Sequence, residues 1–312
     1  MVMRYNSKLF SSIRGINYVP SNAVNTVQLW EEFDAKTIDR ELGYAEKIGL
    51  NSVRVFLQYV VFEAYPEEFI ERFEAFLELC NKHGLSVMPV LFDDCWGEEP
   101  KLGPQPPPIP GVHNSRWVGS PGKSRKNPKY YPKLREYVQK IIGEHQEDKR
   151  IIAWDIYNEP KLEDESFSLV YNAFKWAREV KPIQPLTSTW YGNLLSDVIS
   201  IHFYMNPEKD PEKAERIISC AKSFGKPVIA TEILGRPNHG ELHQVIPFLR
   251  KHKIGWYIWE LMIGVDQTRY QWPGQPKVDE SIVFQGLLYP DGKPYSEKEI
   301  QLLLELARDE TV

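Results

Sequence analysis

Two glutamates carry the chemistry that this sequence equips best. Glu159 closes the segment Ile156-Tyr157-Asn158-Glu159-Pro160, and Glu232 closes Pro227-Val228-Ile229-Ala230-Thr231-Glu232. Each follows a short apolar run rich in β-branched residues, which marks a buried strand. A single carboxyl at a strand end is often a salt-bridged surface group. A pair accompanied by Arg54, Asn158, His202, Tyr204 and Trp259 is hard to explain by stability alone. Two carboxyls brought to about 5–5.5 Å, one protonated and one ionised, suit displacement at an acetal carbon with retention. One would protonate the leaving oxygen while the other attacks.

Such a pair needs a rigid frame, and the chain alternates short apolar runs with longer amphipathic stretches. The runs are residues 13–19, 52–57, 86–92, 151–157, 186–190, 198–204, 227–232 and 255–260. Between them lie helical patterns such as Phe69, Phe73, Phe76, Leu77 and Cys80, spaced by three or four so that one stripe faces inward. The other helices read at 37–48, 133–144, 167–180, 212–224, 242–251 and 296–308. Several end on glycine before the next run, as at Ile48-Gly49 and His83-Gly84. Eight such units predict an α/β fold closed as a (β/α)₈ TIM barrel, a single catalytic domain over residues 1–312. The alternative is an open doubly wound sheet, but no glycine-rich phosphate loop follows any run.

In a parallel barrel the functional groups sit at the C-terminal strand ends. The runs there carry Arg54, then Asp93 and Asp94, Asn158 and Glu159, Trp190, His202 and Tyr204, Glu232, and finally Trp259 and Glu260. Two connections are long, about 93–129 and 261–281, and would wall the catalytic face. The first holds Pro104, Pro106, Pro107, Pro108 and Pro110, which stiffen a wall or, alternatively, form a polyproline ligand.

Composition narrows the partners. The chain is 42% hydrophobic and 26% charged, enough for a large core, and its net charge of −5 disfavours capture of nucleic acid or anionic lipid. No stretch reads as a membrane span. Cys80, Cys95 and Cys220 form neither a disulfide framework nor a zinc site. No apolar leader run stands in residues 1–10, so the expected place is cytoplasmic, or secreted after removal of a leader. Oligomeric state is not encoded in these features.

The motifs together resemble clan A glycoside hydrolases and are most similar to the cellulase-type family 5. The resemblance runs from Arg14-Gly15-Ile16-Asn17 onward, through Ser52-Val53-Arg54-Val55-Phe56, the Asn158-Glu159-Pro160 segment, Ser200-Ile201-His202-Phe203-Tyr204, the Glu232 segment and Trp259, in matching strand order. It implies that Glu159 is the acid/base and Glu232 the nucleophile, with Asn158 on the sugar 2-hydroxyl and Trp259 as a sugar platform. One departure is Phe92-Asp93-Asp94-Cys95-Trp96, where that family usually ends the third strand with His.

On those roles, Tyr204 and Arg54 should hold Glu232 ionised and depress its pKa, while partial burial should raise that of Glu159. His202 and Tyr204, two apart, share one strand face. Trp190 and Trp96, with Trp117 and Trp272, are further aromatic candidates, and Asp93, Asp94 and Glu260 are expected on sugar hydroxyls. No metal or cofactor is expected. The reading is a retaining β-glycosidase acting on β-linked oligo- or polysaccharide, endo-β-1,4-glycanase in preference. An exo-acting glycosidase, a transglycosylase and a catalytically silent carbohydrate-binding barrel are the alternatives.

Overall fold

The alternating pattern folds as the repeat count predicts. In a computed structural model, which describes residues 7–97, 99–275 and 278–309, eight parallel strands close into one barrel in chain order. A short helix α1 (Ser7–Ser11) leads into β1 (Arg14–Asn17), and α2 (Thr26–Glu31) and α3 (Ala35–Lys47) precede β2 (Ser52–Phe56). Then come α4 (Tyr59–Ala64), α5 (Pro66–Lys82), β3 (Ser86–Asp93), α6 (Tyr131–Glu144) and β4 (Trp154–Asn158). The second half runs α7 (Asp164–Glu179), β5 (Leu186–Ser188), a 3₁₀ turn Trp190–Leu194, β6 (Val198–Phe203), α8 (Pro211–Lys222) and β7 (Val228–Ile233). It ends with α9 (Leu242–Lys251), β8 (Gly255–Ile258) and α10 (Glu297–Asp309).

The helices form for local reasons and are held by burial. α5 starts with Pro66 in its first turn beside Glu67 and Glu68, ends on Lys82, and buries Phe69, Phe73, Phe76, Leu77 and Cys80 against the barrel. α3 is capped by Asp34, whose side chain accepts from the backbone N–H groups of Lys36 and Thr37. Three short helices, α1, α2 and α4, escape the sequence reading, because five or six residues cannot show a period of 3.6. The fifth run stops at Ser188, and Trp190 instead opens the 3₁₀ turn.

Strand register breaks where the chemistry is expected. β6 shifts against β7 between Ile201 and His202, and β7 against β8 between Ala230 and Ile233. Such irregularities re-aim side chains at a barrel rim, and these place His202 opposite Glu232.

The two long loops are joined to each other. Gln267 donates from Nε2 to the Ile109 carbonyl at 3.0 Å, and accepts from the Gly111 N–H at 3.2 Å. His113 Nδ1 meets the Tyr270 carbonyl at 2.6 Å. The proline segment between them is fastened as a wall: Arg116 donates to the Pro107 carbonyl, and Asn25 to the Gln105 side chain. Residue 98 of the first loop and residues 276–277 of the second lie outside the described residues, as do residues 1–6, on which part of the leader reading rests. No helix among the described residues is long and apolar enough to cross a membrane.

Candidate active site

The two glutamates meet at the carboxyl end of the barrel. One oxygen of Glu159, one of Glu232 and a ring nitrogen of His202 all lie within 4.8 Å of one another. Glu159 leaves β4 in a left-handed conformation, φ 42°, and its backbone N–H donates to Thr189 Oγ1 at 2.8 Å. Strained backbone of this kind persists only where surrounding contacts fix it, and here it turns the carboxyl toward Glu232.

Behind Glu232 stands a buried cation. Arg54, fully enclosed, donates from Nη1 to Glu232 Oε1 at 2.9 Å and to Asn17 Oδ1 at 2.8 Å. Its Nε and Nη2 both donate to Asp155 Oδ2, and Nη2 reaches Asn158 Oδ1 at 2.6 Å. Tyr204 donates to the other oxygen of Glu232 at 2.8 Å. Charge-assisted donors of this geometry fix the carboxylate's orientation. Asn158 in turn donates to Asp93 Oδ1 at 2.8 Å, and Asp93 Oδ2 accepts from Trp117 Nε1 at 2.7 Å. The network thus runs from Arg54 through Asn158 and Asp93 to the aromatic floor, where Trp117 and Phe56 meet Trp259 edge-on at 5.9 and 5.5 Å.

The protons are placed otherwise than the sequence reading expects. Glu232 lies above its ordinary pKa: burial raises it more than the His202 and Arg54 charges lower it. Glu159 lies below its ordinary value, because the charge and hydrogen bond of His202, with a hydrogen bond from the Cys95 thiol, outweigh burial. His202 is raised despite burial, by the charges of Glu232 and Glu159. Its Nδ1 is 2.6 Å from Glu159 Oε1 and 3.3 Å from Glu232 Oε2, so the imidazole stands within reach of both carboxyls.

Above these groups opens a cavity of about 360 Å³, lined by Glu159, Glu232, Asn158, Tyr204, Trp259 and Trp117 together with residues of the two loops, including Cys95, Trp96, His113 and Trp272. His113 is held neutral, its pKa pushed down to about 4 by burial, so Nδ1 carries a proton to the Tyr270 carbonyl. Trp272 meets Tyr204 edge-on at 5.0 Å and His239 at 4.8 Å. A larger cavity of about 580 Å³ opens among Phe10, Ile13, Ile152 and Pro185, far in the fold from these carboxyls.

Four residues expected on sugar hydroxyls or as a platform stand elsewhere. Asp93 is buried and used up by Asn158, Trp117 and the Cys95 N–H, with its pKa raised by burial to about 7. Asp94 points away, pairing with Lys126 at 2.8 Å and accepting from Ser166. Glu260 is buried behind Trp259 and accepts from Thr268. Trp190 is half exposed and does not line the cavity. Each of these four is held by partners other than a sugar or stands clear of the cavity. Asn17, Asp155, Cys95 and His113 were missed. Asp155 had a signal, a charge inside an apolar run, which demands a buried partner.

The Glu159, His202 and Glu232 donors also have the spacing of a metal site, as do Glu74, His145 and Asp148. A guanidinium already occupies each: Arg54 on Glu232, and Arg150 on both Glu74 and Asp148.

Comparison with known proteins agrees with this geometry. The family described as Glycosyl hydrolases family 2, TIM barrel domain, matches residues 25–283. No curated protein sequence matches the chain. Among solved structures, the exo-β-1,4-mannosidase Op5Man5 from Opitutaceae bacterium strain TAV5 superposes with TM-score 0.65 at 18% identity, over 95% of this chain and 59% of its own. GH5_18 from Streptomyces cattleya, in complex with GlcNAc, gives TM-score 0.65 at 15% identity over 96% of this chain and 80% of its own. A GH5-4 broad specificity endoglucanase from Clostridium longisporum gives 0.65 at 14% identity over 99% of both chains. The chain spans about three fifths of the mannosidase's length, 59%.

Proposed function

The chain belongs to the glycosyl hydrolases family 2 TIM-barrel domain family, and on that premise we propose that it is a retaining β-glycosidase that removes single neutral sugars from the end of a β-linked glycoside. The observation that carries this is the mutual approach of Glu159, His202 and Glu232 within 4.8 Å. That spacing leaves no room for a water between carboxyl and sugar, and so fits direct attack.

In the reaction Glu232, oriented by Arg54 and Tyr204, attacks the anomeric carbon and forms a glycosyl ester. The bond to the leaving oxygen breaks as Glu159 gives it a proton. Sugar arriving over Glu159 excludes water and raises its proton affinity, so the proton held by His202 at 2.6 Å passes to Glu159. Glu159, now ionised, takes a proton from water, which attacks the ester and frees Glu232. Asn158, tied to Arg54 and Asp93, presents its amide to the sugar next to the nucleophile.

The exo mode is supported by the joined loops. Gln267 and His113 fasten the β3 loop to the β8 loop, and Trp96, His113 and Trp272 of those loops line the cavity, so a continuous wall favours a pocket over a through-running cleft. An endo-acting glycanase needs both ends open. The solved relatives include both modes at the same TM-score, so the loops weigh more than the likeness. Among the described residues the cavity lining has two carboxylates and no lysine or arginine, which favours a neutral sugar over a uronic acid.

Azide rescue tests the assignment. On an activated aryl β-glycoside, Glu232→Ala should lose turnover and with azide release the α-glycosyl azide. Glu159→Ala should lose about 10²–10⁴-fold on poor leaving groups and yield the β-azide. Unchanged hydrolysis by Glu232→Ala overturns the nucleophile. A β-1,4-oligosaccharide cut internally in the first turnovers overturns the exo mode.

A further inference from the structure

Gln285 lines the catalytic cavity, is 1% exposed, and has its side chain held from one end only. Its Nε2 donates at 3.1 Å to the carbonyl of Leu234, two residues beyond Glu232. Leu234 stands in the left-handed region, φ 87°, a conformation that persists only where surrounding contacts fix it. The Gln285 amide cannot turn over, because its oxygen would then face the Leu234 carbonyl. Oε1 is therefore an acceptor, and among the described residues it has no donor. The chain on either side of it is fastened: Arg236, paired with Glu299, donates to the Val283 carbonyl at 3.0 Å and to the Gly286 carbonyl at 3.2 Å. Asn114 Oδ1, also buried on a residue of the cavity lining, shares the lack of a donor.

We propose that Gln285 Oε1 accepts a hydrogen bond from one hydroxyl of the sugar that Glu232 attacks, and so makes the chain specific for a sugar carrying that hydroxyl free. The inference deepens the glycosidase reading above and rests on it. A buried amide oxygen without a donor costs free energy, and a hydroxyl entering the cavity recovers it. A deoxy position, a methyl ether or an acyl ester has no proton to give, so each leaves the oxygen orphaned. Sites built around such a group reject the analogue that lacks the hydroxyl far more strongly than an apolar pocket rejects an added one. In the reading above Asn158 meets the sugar beside the nucleophile, so Gln285 reads a hydroxyl farther round the ring. Because Leu234 and Arg236 hold it in place beforehand, the acceptor needs little ordering when the sugar arrives.

The test uses the intact chain. Methyl β-D-glucopyranoside, β-D-mannopyranoside and β-D-galactopyranoside are ranked by titration of tryptophan emission. The p-nitrophenyl glycoside of the tightest-bound sugar is then compared with its 3-, 4- and 6-deoxyfluoro derivatives, whose fluorine fills the place of a hydroxyl but donates no proton. At one position the parent's kcat/KM should fall about tenfold to a hundredfold further than at the other two. In Gln285→Met the ratio between the hydroxyl and fluoro substrates at that position should fall toward one, because the acceptor is gone. Loss of the Leu234 bond alone lowers all four substrates alike, so an unmoved ratio in a folded Gln285→Met overturns the proposal. So does a parent that treats the three positions equally, a result that needs no variant. Emission titrations with the methyl deoxyfluoro glycosides should show the same selectivity in affinity, without the slowing that fluorine imposes on the chemistry. Selective binding without hydrolysis would sink the glycosidase reading and keep the contact, whereas hydrolysis with no position singled out would sink this inference and keep that reading.

Discussion

His202 Nδ1 lies 2.6 Å from Glu159 Oε1, which couples the proposed acid/base to a titratable group on β6, two strands away. The two carboxyls and the imidazole titrate as one cluster, so pH limbs belong to the group as a whole. The His202 pKa is raised, by Glu232 and Glu159 against burial. Its proton is therefore lost at higher pH than from a free imidazole, and turnover should fall as pH climbs through the raised value. His202→Gln removes that group. The alkaline limb of kcat/KM should move to lower pH, with a loss of about tenfold to a hundredfold at neutral pH. An unmoved limb in a stopped-flow pH series would remove His202 from this role.

Arg54 is the second lever. Its guanidinium neutralises Asp155 and Glu232, both buried, while donating to Asn17 and Asn158. Removing one partner of a buried ion pair leaves the other charge uncompensated, at a cost of about 3–5 kcal/mol. Arg54→Met should lower the urea midpoint accordingly. Asp155→Asn in the same background should recover part of the loss, because one orphaned charge disappears. No recovery in the double variant would mean that Asp155 is not the charge left exposed.

Cys95 gives a finer test. Its thiol, raised well above its ordinary pKa chiefly by burial, stays protonated and hydrogen-bonds Glu159. Losing a donor to a carboxylate raises that carboxylate's pKa. Cys95→Ala should lift the apparent pKa assigned to Glu159 and lower kcat/KM about threefold to tenfold, and Cys95→Ser should restore both. A thiol that merely fills space would be replaced by alanine without moving the pH profile.

Much of this was legible before any coordinates. The eight strands announce themselves as β-branched runs because both faces of a parallel barrel strand are buried, and Glu159, Glu232, Arg54, His202, Tyr204 and Trp259 follow from where those runs end. What sequence did not yield is the direction of each side chain. Asp94 closes the third run as plausibly as Asp93, yet it lies just beyond β3 and turns to Lys126. Arg54 and Tyr204 do lower Glu232 as expected, but burial outweighs them, and His202 outweighs burial at Glu159. Glu232 is bonded by Tyr204, whose ring meets the loop tryptophan Trp272, a contact between segments far apart in sequence. The joined loops are equally long-range: Gln267 and Ile109 are 158 positions apart.

Glu260, misplaced by the sequence reading, makes a prediction of its own. It faces Asp266 in a buried carboxyl pair: burial raises Glu260 well above its ordinary pKa and Asp266 to about 6. A carboxyl raised in the folded state holds its proton more tightly there than when unfolded. Its stabilising contribution is therefore complete below the unfolded value of 3.8 and is lost as pH rises through about 6. The melting temperature should fall across that window more steeply than surface charge alone would give. Asp266→Asn keeps the shape and removes one ionisation, so it should flatten the fall and melt higher than the parent at pH 8. Because Trp259 precedes Glu260 in the chain, the variant should also hold that indole's emission constant from pH 5 to 8, where the parent's changes. A parent whose melting temperature rises from pH 4 to 7 at constant ionic strength, with Asp266→Asn following it, would show that the pair is ionised and compensated from another source.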